Sequence, residues 1–229
     1  MKNDVVIITG ASGHIGKSIA KEFNNKDCSL HLFYNKNCTS LEEFNCTKHC
    51  VDMTDTILIK KVIDEIDFSG RFININCIGI TIDKLVNRIS EEEFLKVINV
   101  NLKSIFSITR SIINKSKFGG HFINISSISG VSGRIGQTSY SASKGGLISF
   151  TKSIAKEYGK KDIQANIILP GFIPSPITGK LKHEIIERIK QSHYLNRFQN
   201  SDEVAAFIYN LSKMRNVSGQ VFNLDSRIY

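Results

Sequence analysis

Short, unbroken apolar runs alternate along this chain with longer segments whose apolar residues recur every third or fourth position. The first run, "DVVIITG", has the composition of a parallel strand covered on both faces. A segment with helical spacing follows, from about Ile15 to Asn25. "SLHLFY" and "KHCVDM" read as the second and third strands, and "TILIKKVIDEI" as a helix. "RFININCIG" reads as a fourth strand, and a long helical segment runs from about Ser90 to Lys115. "GHFINISS" is expected to be the fifth strand, with Ser127 at its end, and Tyr140 to Tyr158 a helix. "IQANIILPG" and "SGQVFNLD" read as the sixth and seventh strands. The alternation predicts an α/β fold: a doubly wound, mainly parallel seven-stranded sheet with helices on both faces. No linker, repeat or low-complexity tract interrupts the pattern, so residues 1–229 are expected to form a single domain.

In such a sheet, ligands sit beyond the carboxyl ends of the strands. "TGASGHIG" stands at the end of the first, with Gly10, Gly13 and Gly16 three apart where the helix begins. Gly10 permits a tight turn, Gly13 a close backbone approach to a pyrophosphate, and Gly16 close packing of helix on sheet. The helix N-terminus adds unpaired N–H groups for the phosphates. His14 lies between the glycines, its imidazole directed outward or towards the nucleotide. About 20 residues further on, where an acid would hold a ribose 2′-hydroxyl, the second strand ends in Asn35 and Lys36. A cation there favours a 2′-phosphate, and so NADP over NAD.

"SYSASKGG" places Tyr140 and Lys144 one helical turn apart on the same face. An ammonium beside a phenol stabilises the phenolate, so Lys144 is expected to lower the Tyr140 pKa for proton transfer. Ser127 puts a hydroxyl where a substrate oxygen could be held. Asn101 falls in mid-helix, a poor position for asparagine unless its side chain has a partner.

Composition narrows the reading. Hydrophobic residues make up 41% of the chain, enough for a sizeable core, yet no apolar run approaches a membrane span. "MKNDVVIITG" lacks the features of a secretory signal, and the odd number of cysteines, five, argues against a disulfide framework. A cytoplasmic setting is expected. "CTKHC" (Cys46 to Cys50, with His49) lacks the second ligand pair of a closed zinc site, so no metal is expected there. Its thiols are expected beside and within a buried strand. The net charge of +9 suits an acidic carrier or a phosphorylated ligand. The lysines are dispersed without arginine–aromatic interleaving, so no nucleic-acid surface is expected.

Together these motifs resemble the classical short-chain dehydrogenases/reductases over essentially the whole chain, and most nearly the β-ketoacyl-(acyl carrier protein) reductases. "TGASGHIG", "NCIG", "NVNL", "SSIS…YSASK" and "LPGFIPSPIT" carry the resemblance. It implies a Rossmann-type domain that binds NADPH and reduces a ketone, here a 3-oxoacyl thioester, to a secondary alcohol. Tyr140 would protonate the carbonyl oxygen, Ser127 hold it, and Lys144 tune the tyrosine and bind the nicotinamide ribose. Asn101 would anchor a water that relays protons to Lys144. The cofactor contacts implied are Gly10, Ser12, Gly13, His14, Ile15, Gly16, Asn35 and Lys36, then Asp52 and Met53 at the adenine. Asn76, bracing the central strand, Cys77 and Gly79 follow, with Tyr140, Lys144, Pro170, Gly171 and Ile173 around the nicotinamide.

Three features depart from the family pattern. His14 replaces the usual middle glycine, Cys77 and Ile78 replace the Asn-Ala of N-N-A-G, and "NLDSRIY" lacks the Gly-Gly ending. A segment of about 175–200 would be a mobile lid over the substrate, with His193 read here as a surface histidine. Lys156, Lys160 and Lys161 form a basic cluster suited to an acidic carrier protein or to a solvated helix end. Relatives pair their long helices, which implies a homotetramer. Two alternatives stay open: the same fold and tetrad acting on a sugar, polyketide or other small alcohol, and a non-catalytic nucleotide sensor that binds a protein.

Overall fold

The computed structural model describes residues 3–174 and 183–227. Strands β1 (Asp4–Thr9), β2 (Cys28–Tyr34), β3 (Thr47–Cys50), β4 (Phe72–Asn76), β5 (Gly120–Ile125), β6 (Ile163–Pro170) and β7 (Val221–Leu224) form one sheet, ordered β3-β2-β1-β4-β5-β6-β7. Every pairing is parallel, so "mainly parallel" understates it. Strand order reverses between β1 and β4, which opens the crevice where ligands of doubly wound sheets sit.

Side chains of the apolar strands alternate between two cores. Val6 and Ile8 enter one, which also takes Ile19 and Phe23 of α1 (His14–Phe23) and Val204 and Ile208 of α8 (Ser201–Lys213). Val5 and Ile7 enter the other, with Ile59 and Val62 of α2 (Thr56–Glu65) and Ile108 and Ile112 of α4 (Ser104–Lys115). Helix starts carry their own signals. Asp55 accepts from the backbone N–H of Ile57 and Leu58, and Ser90 with Glu93 closes a capping box on α3 (Glu91–Ile98).

The long helical segment is interrupted. Between α3 and α4 the chain runs as a π-turn, Asn99–Lys103, with Asn101 fully buried at its centre. The fifth strand stops at Ile125, so Ser127 stands beyond it, before the short helix α5 (Ser129–Ser132). Helix α6 (Thr138–Tyr158) carries Tyr140 and Lys144, and α7 (His183–Gln191) lies in the expected lid. The part of that lid over 175–182 lies outside the described residues. The expectation of thiols in a buried strand fails at β3. It is the sheet's edge, paired to β2 alone, and Cys50 is exposed.

A polar chain runs through the centre of the sheet. Thr9 Oγ1 donates to Asn76 Oδ1 (3.2 Å), and Asn76 Nδ2 donates to Asn74 (2.8 Å) and Asn124 (2.7 Å). Asn124 Nδ2 donates to Thr151 Oγ1 of α6 at 2.8 Å. Asn76 therefore braces β1, β4 and β5 as expected, and the chain fixes α6 against them. Each member is buried and satisfied, the condition under which a buried polar network specifies one arrangement.

Candidate active site

The turn after β1 is shaped by steric limits. Gly10 has φ +66°, and a Cβ there would meet Ile78 N at 3.0 Å. A Cβ at Gly16 would stand 2.3 Å from Gly10 O, an impossible contact, so this helix can approach the turn only as glycine. Gly13 is the N-cap of α1 and caps it with no side chain, which leaves the first amides for a phosphate. The cradle therefore fits the pyrophosphate of a dinucleotide.

A cavity of about 460 Å³ opens from this turn across the ends of β4, β5 and β6. Gly10, Gly13, His14, Ile15 and Gly16 form one side, and Cys77 and Gly79 the floor beyond β4. Ser127, Tyr140 and Lys144 line the opposite side, with Pro170, Gly171 and Ile173 after β6. His14 is exposed at its rim. Other expected contacts lie elsewhere. Asn76 is buried in the polar chain and Met53 in the core behind α2. Ser12, Asn35, Lys36 and Asp52 are exposed, outside this cavity's wall. The Asp52 carboxylate accepts from Thr54 N and Oγ1, at 2.9 and 2.8 Å. Those bonds, with Lys36 nearby, hold its pKa low.

Lys144 is 3% exposed, and its Nζ donates to Ile125 O at 2.8 Å and stands 5.8 Å from the Tyr140 ring centre. Burial brings its pKa down to about 8. The Tyr140 phenol is pushed up by burial, opposed by a hydrogen bond with Ser127 and reinforced by Asp83. This reverses the expectation that Lys144 lowers the tyrosine. The ammonium is turned to a backbone carbonyl, and desolvation of the phenolate dominates. Ser127 Oγ also accepts from Ser129 N at 3.2 Å, which fixes its direction.

Asn101 has the partners its mid-helix position demands. Its Oδ1 accepts from Ile80 N (2.8 Å), and its Nδ2 donates to Ile80 O (2.9 Å) and Ser143 Oγ (3.0 Å). The side chain thus straps the loop after β4 to α6, so an expected water relay finds these side-chain atoms already engaged.

Several cavity residues are not among the contacts expected above: Thr81, Gln137, Arg134, Phe172 and Arg227. Gln137 precedes α6 and donates to both oxygens of Asp83, at 3.2 and 3.1 Å. The reading of His193 as a surface histidine is wrong. It is 3% exposed, with Nδ1 2.7 Å from Ile189 O and Nε2 3.3 Å from Asp225 Oδ1. The chain just beyond β7 covers it, and Arg227 Nε in turn donates to Asp225 Oδ2.

A family model for short chain dehydrogenases matches residues 4–185. The chain belongs to that family. It is 34% identical to a 3-oxoacyl-[acyl-carrier-protein] reductase of Thermotoga maritima, over 98% of this chain and 97% of that one. It is 35% identical to the protein of the same description from Aquifex aeolicus, over 98% of this chain and 87% of that one. Among solved structures, a point mutant of actinorhodin polyketide ketoreductase with NADPH superimposes with a TM-score of 0.91. That match covers 99% of this chain and 98% of that one at 21% identity, a likeness of fold. This short-chain dehydrogenase is thus an oxidoreductase with a cradle for the family's nicotinamide cofactor. Among the described residues no helix is long and apolar enough to cross a membrane, and no cluster of three metal-ligating side chains occurs.

Proposed function

We propose that this enzyme uses NADPH to reduce the ketone of a 3-oxoacyl thioester to a secondary alcohol. The observation that carries the reading is the shared cavity: Tyr140, Ser127 and Lys144 face the glycine turn across one space. The similarity to 3-oxoacyl-[acyl-carrier-protein] reductases, 34–35% over nearly the whole chain, favours the thioester. NADPH, when bound, supplies the hydride. Tyr140 gives its hydroxyl proton to the carbonyl oxygen, and Ser127 holds that oxygen by hydrogen bond. Lys144 holds the nicotinamide ribose, and Asn101 keeps the cavity's floor in place through Ile80. Gly10, Gly13, Gly16 and the α1 N-terminus take the pyrophosphate, while the exposed Asp52 borders the adenine. Residues 1–229 serve as one domain, in a cytoplasmic setting that five free cysteines suit. The test is NADPH oxidation with an acetoacetyl thioester. No oxidation across a panel of thioesters and keto-sugars overturns the reading.

Asn35 and Lys36 at the end of β2 support NADPH over NADH. Lys36→Ala is expected to reduce the NADPH-to-NADH affinity ratio about ten-fold, as loss of a charge-assisted phosphate contact does. Fluorescence titration of both cofactors measures it, and an unaltered ratio removes Lys36 from the site. A homotetramer is part of the same reading, with α4 and α6 as paired faces. Phe106 on α4 is 47% exposed beside a groove bordered by Phe150 and Tyr158 of α6. Light scattering is expected to give four chains per particle, and Phe106→Asp to break the particle down. A monomeric wild type would refute this. Lys156 in the last turn of α6, with Lys160 and Lys161 just past it, offers an acidic carrier protein a docking point.

A further inference from the structure

The cavity holding Tyr140 has two more cations in its wall, Arg134 and Arg227, and no aspartate or glutamate among the described residues of that wall. Lys144 is taken up by the Ile125 carbonyl and, in the reductase reading, by the nicotinamide ribose, so the guanidinium groups are the cations left to meet the substrate. They enter from different parts of the fold. Arg134 stands in the loop between α5, which follows Ser127, and α6, which begins at Thr138. It is exposed and makes no ion pair among the described residues. Arg227 arrives from beyond β7, beside the loop of Gly171, where a Cβ on that glycine would lie 3.2 Å from Asp225 Oδ1.

Arg227 is held in advance of any ligand. Asp225, whose side chain is 1% exposed, accepts from Arg227 Nε and takes its backbone N–H at 3.2 Å. That grip leaves both terminal nitrogens without a hydrogen bond among the described residues, and this fork matches a phosphate or carboxylate. The cofactor's phosphates already have the glycine cradle and the uncapped start of α1. The arginines instead flank the side bearing Ser127, Tyr140 and Gly171. We propose that Arg134 and Arg227 form a second recognition point that receives an oxyanion of the substrate, so that anionic ketones are chosen over neutral ones. The oxyanion is a phosphate on the arm that carries the acyl thioester, or a carboxylate beside the ketone. The inference rests on the reductase reading of the same cavity.

Acetoacetyl thioesters of 4′-phosphopantetheine and of pantetheine differ by one phosphate, and acetoacetate and its ethyl ester by one carboxylate charge. The wild type is expected to prefer the anionic member of one pair by about ten-fold or more in kcat/KM, and that pair identifies the source. R134Q and R227Q are expected to bring this preference towards unity, and R134E to reverse it. R134Q alters an exposed side chain, so it decides the matter even if R227Q, which removes one of the groups paired with Asp225, fails to fold. The proposal is overturned if the wild type discriminates in neither pair, or if its preference survives in R134Q. It is also overturned if R134Q weakens NADPH binding and leaves substrate preference intact. Failure of the reductase reading shows separately, as absence of turnover by the wild type on all four ketones. Calorimetric titration of the NADP⁺-loaded protein with each pair, and with 4′-phosphopantetheine against pantetheine, then decides without turnover.

Discussion

Tyr140→Phe is expected to lower kcat for ketone reduction about 10³-fold, within the usual range for removing a general acid. The phenyl ring keeps its volume at the cavity wall, so NADPH affinity should hold. Loss of the hydrogen bond with Ser127 should cost only about 1 kcal/mol, a few degrees in Tm. The pH profile adds an independent sign. The phenol's pKa is raised, so the donor stays protonated throughout the neutral range and reduction finds its proton in place. Lys144 titrates at about 8, and its charge is present below that value and lost above it. Reduction kcat/KM, which reports the free enzyme, is therefore expected to be level below about pH 8 and to fall above it. Oxidation of the alcohol needs the phenolate and should rise towards alkaline pH. Unchanged turnover in Tyr140→Phe would remove the proposed acid from the mechanism.

The spacing of Tyr140 and Lys144 is legible in the sequence because four residues on a helix is a local quantity. The direction of their pKa shifts is not, because burial is set by β5 and the loop after β4, which close over the pair only in the fold. The same division runs through the rest of the chain. Unbroken apolar runs locate the strands, since a strand covered on both faces needs no polar alternation. They cannot show that β3 is an edge, for which strand order must be known. Asn101 stands out as a misfit in mid-helix, and the structure resolves it as the centre of a π-turn that feeds its side chain to Ile80. His193 reads as a surface residue because its cover comes from Asp225, far along the chain and joined to it only by folding. Arg227 is silent in the sequence for the same reason. The missing Gly-Gly ending is visible, but not that a residue near its place enters the catalytic cavity.

Acid should unfold this enzyme well before its carboxylates are fully protonated, because two buried histidines are held neutral. His121 on β5 is fully buried, and its Nε2 lies 2.7 Å from Asn166 Nδ2. That amide nitrogen also donates to Val217 O, and Asn166 Oδ1 accepts from Gln220 N. The amide cannot turn over without breaking both bonds, so His121 Nε2 must accept and cannot carry a proton. Burial, with Arg71 nearby, takes its pKa to about 3. On β2, His31 Nδ1 faces His49 Nε2 at 3.0 Å, so one imidazole must accept from the other. Burial and that neighbour take His31 to about 4. Both folded values lie below the unfolded value of 6.5, so the unfolded chain binds more protons below that pH. The stability they contribute is complete above pH 6.5 and is lost as pH falls towards 4 and 3. Each group removes about 1.4 kcal/mol per pH unit, so the pair together costs about 5 kcal/mol by about pH 4.5. That matches the whole stability of many domains. Urea unfolding between about pH 7 and about pH 5 should show a slope of about 2.7 kcal/mol per unit below about pH 6, and His121→Gln should halve it. Gln retains an acceptor for Asn166 and cannot be charged. A stability that stays level across that range would mean that neither imidazole is held neutral by the fold.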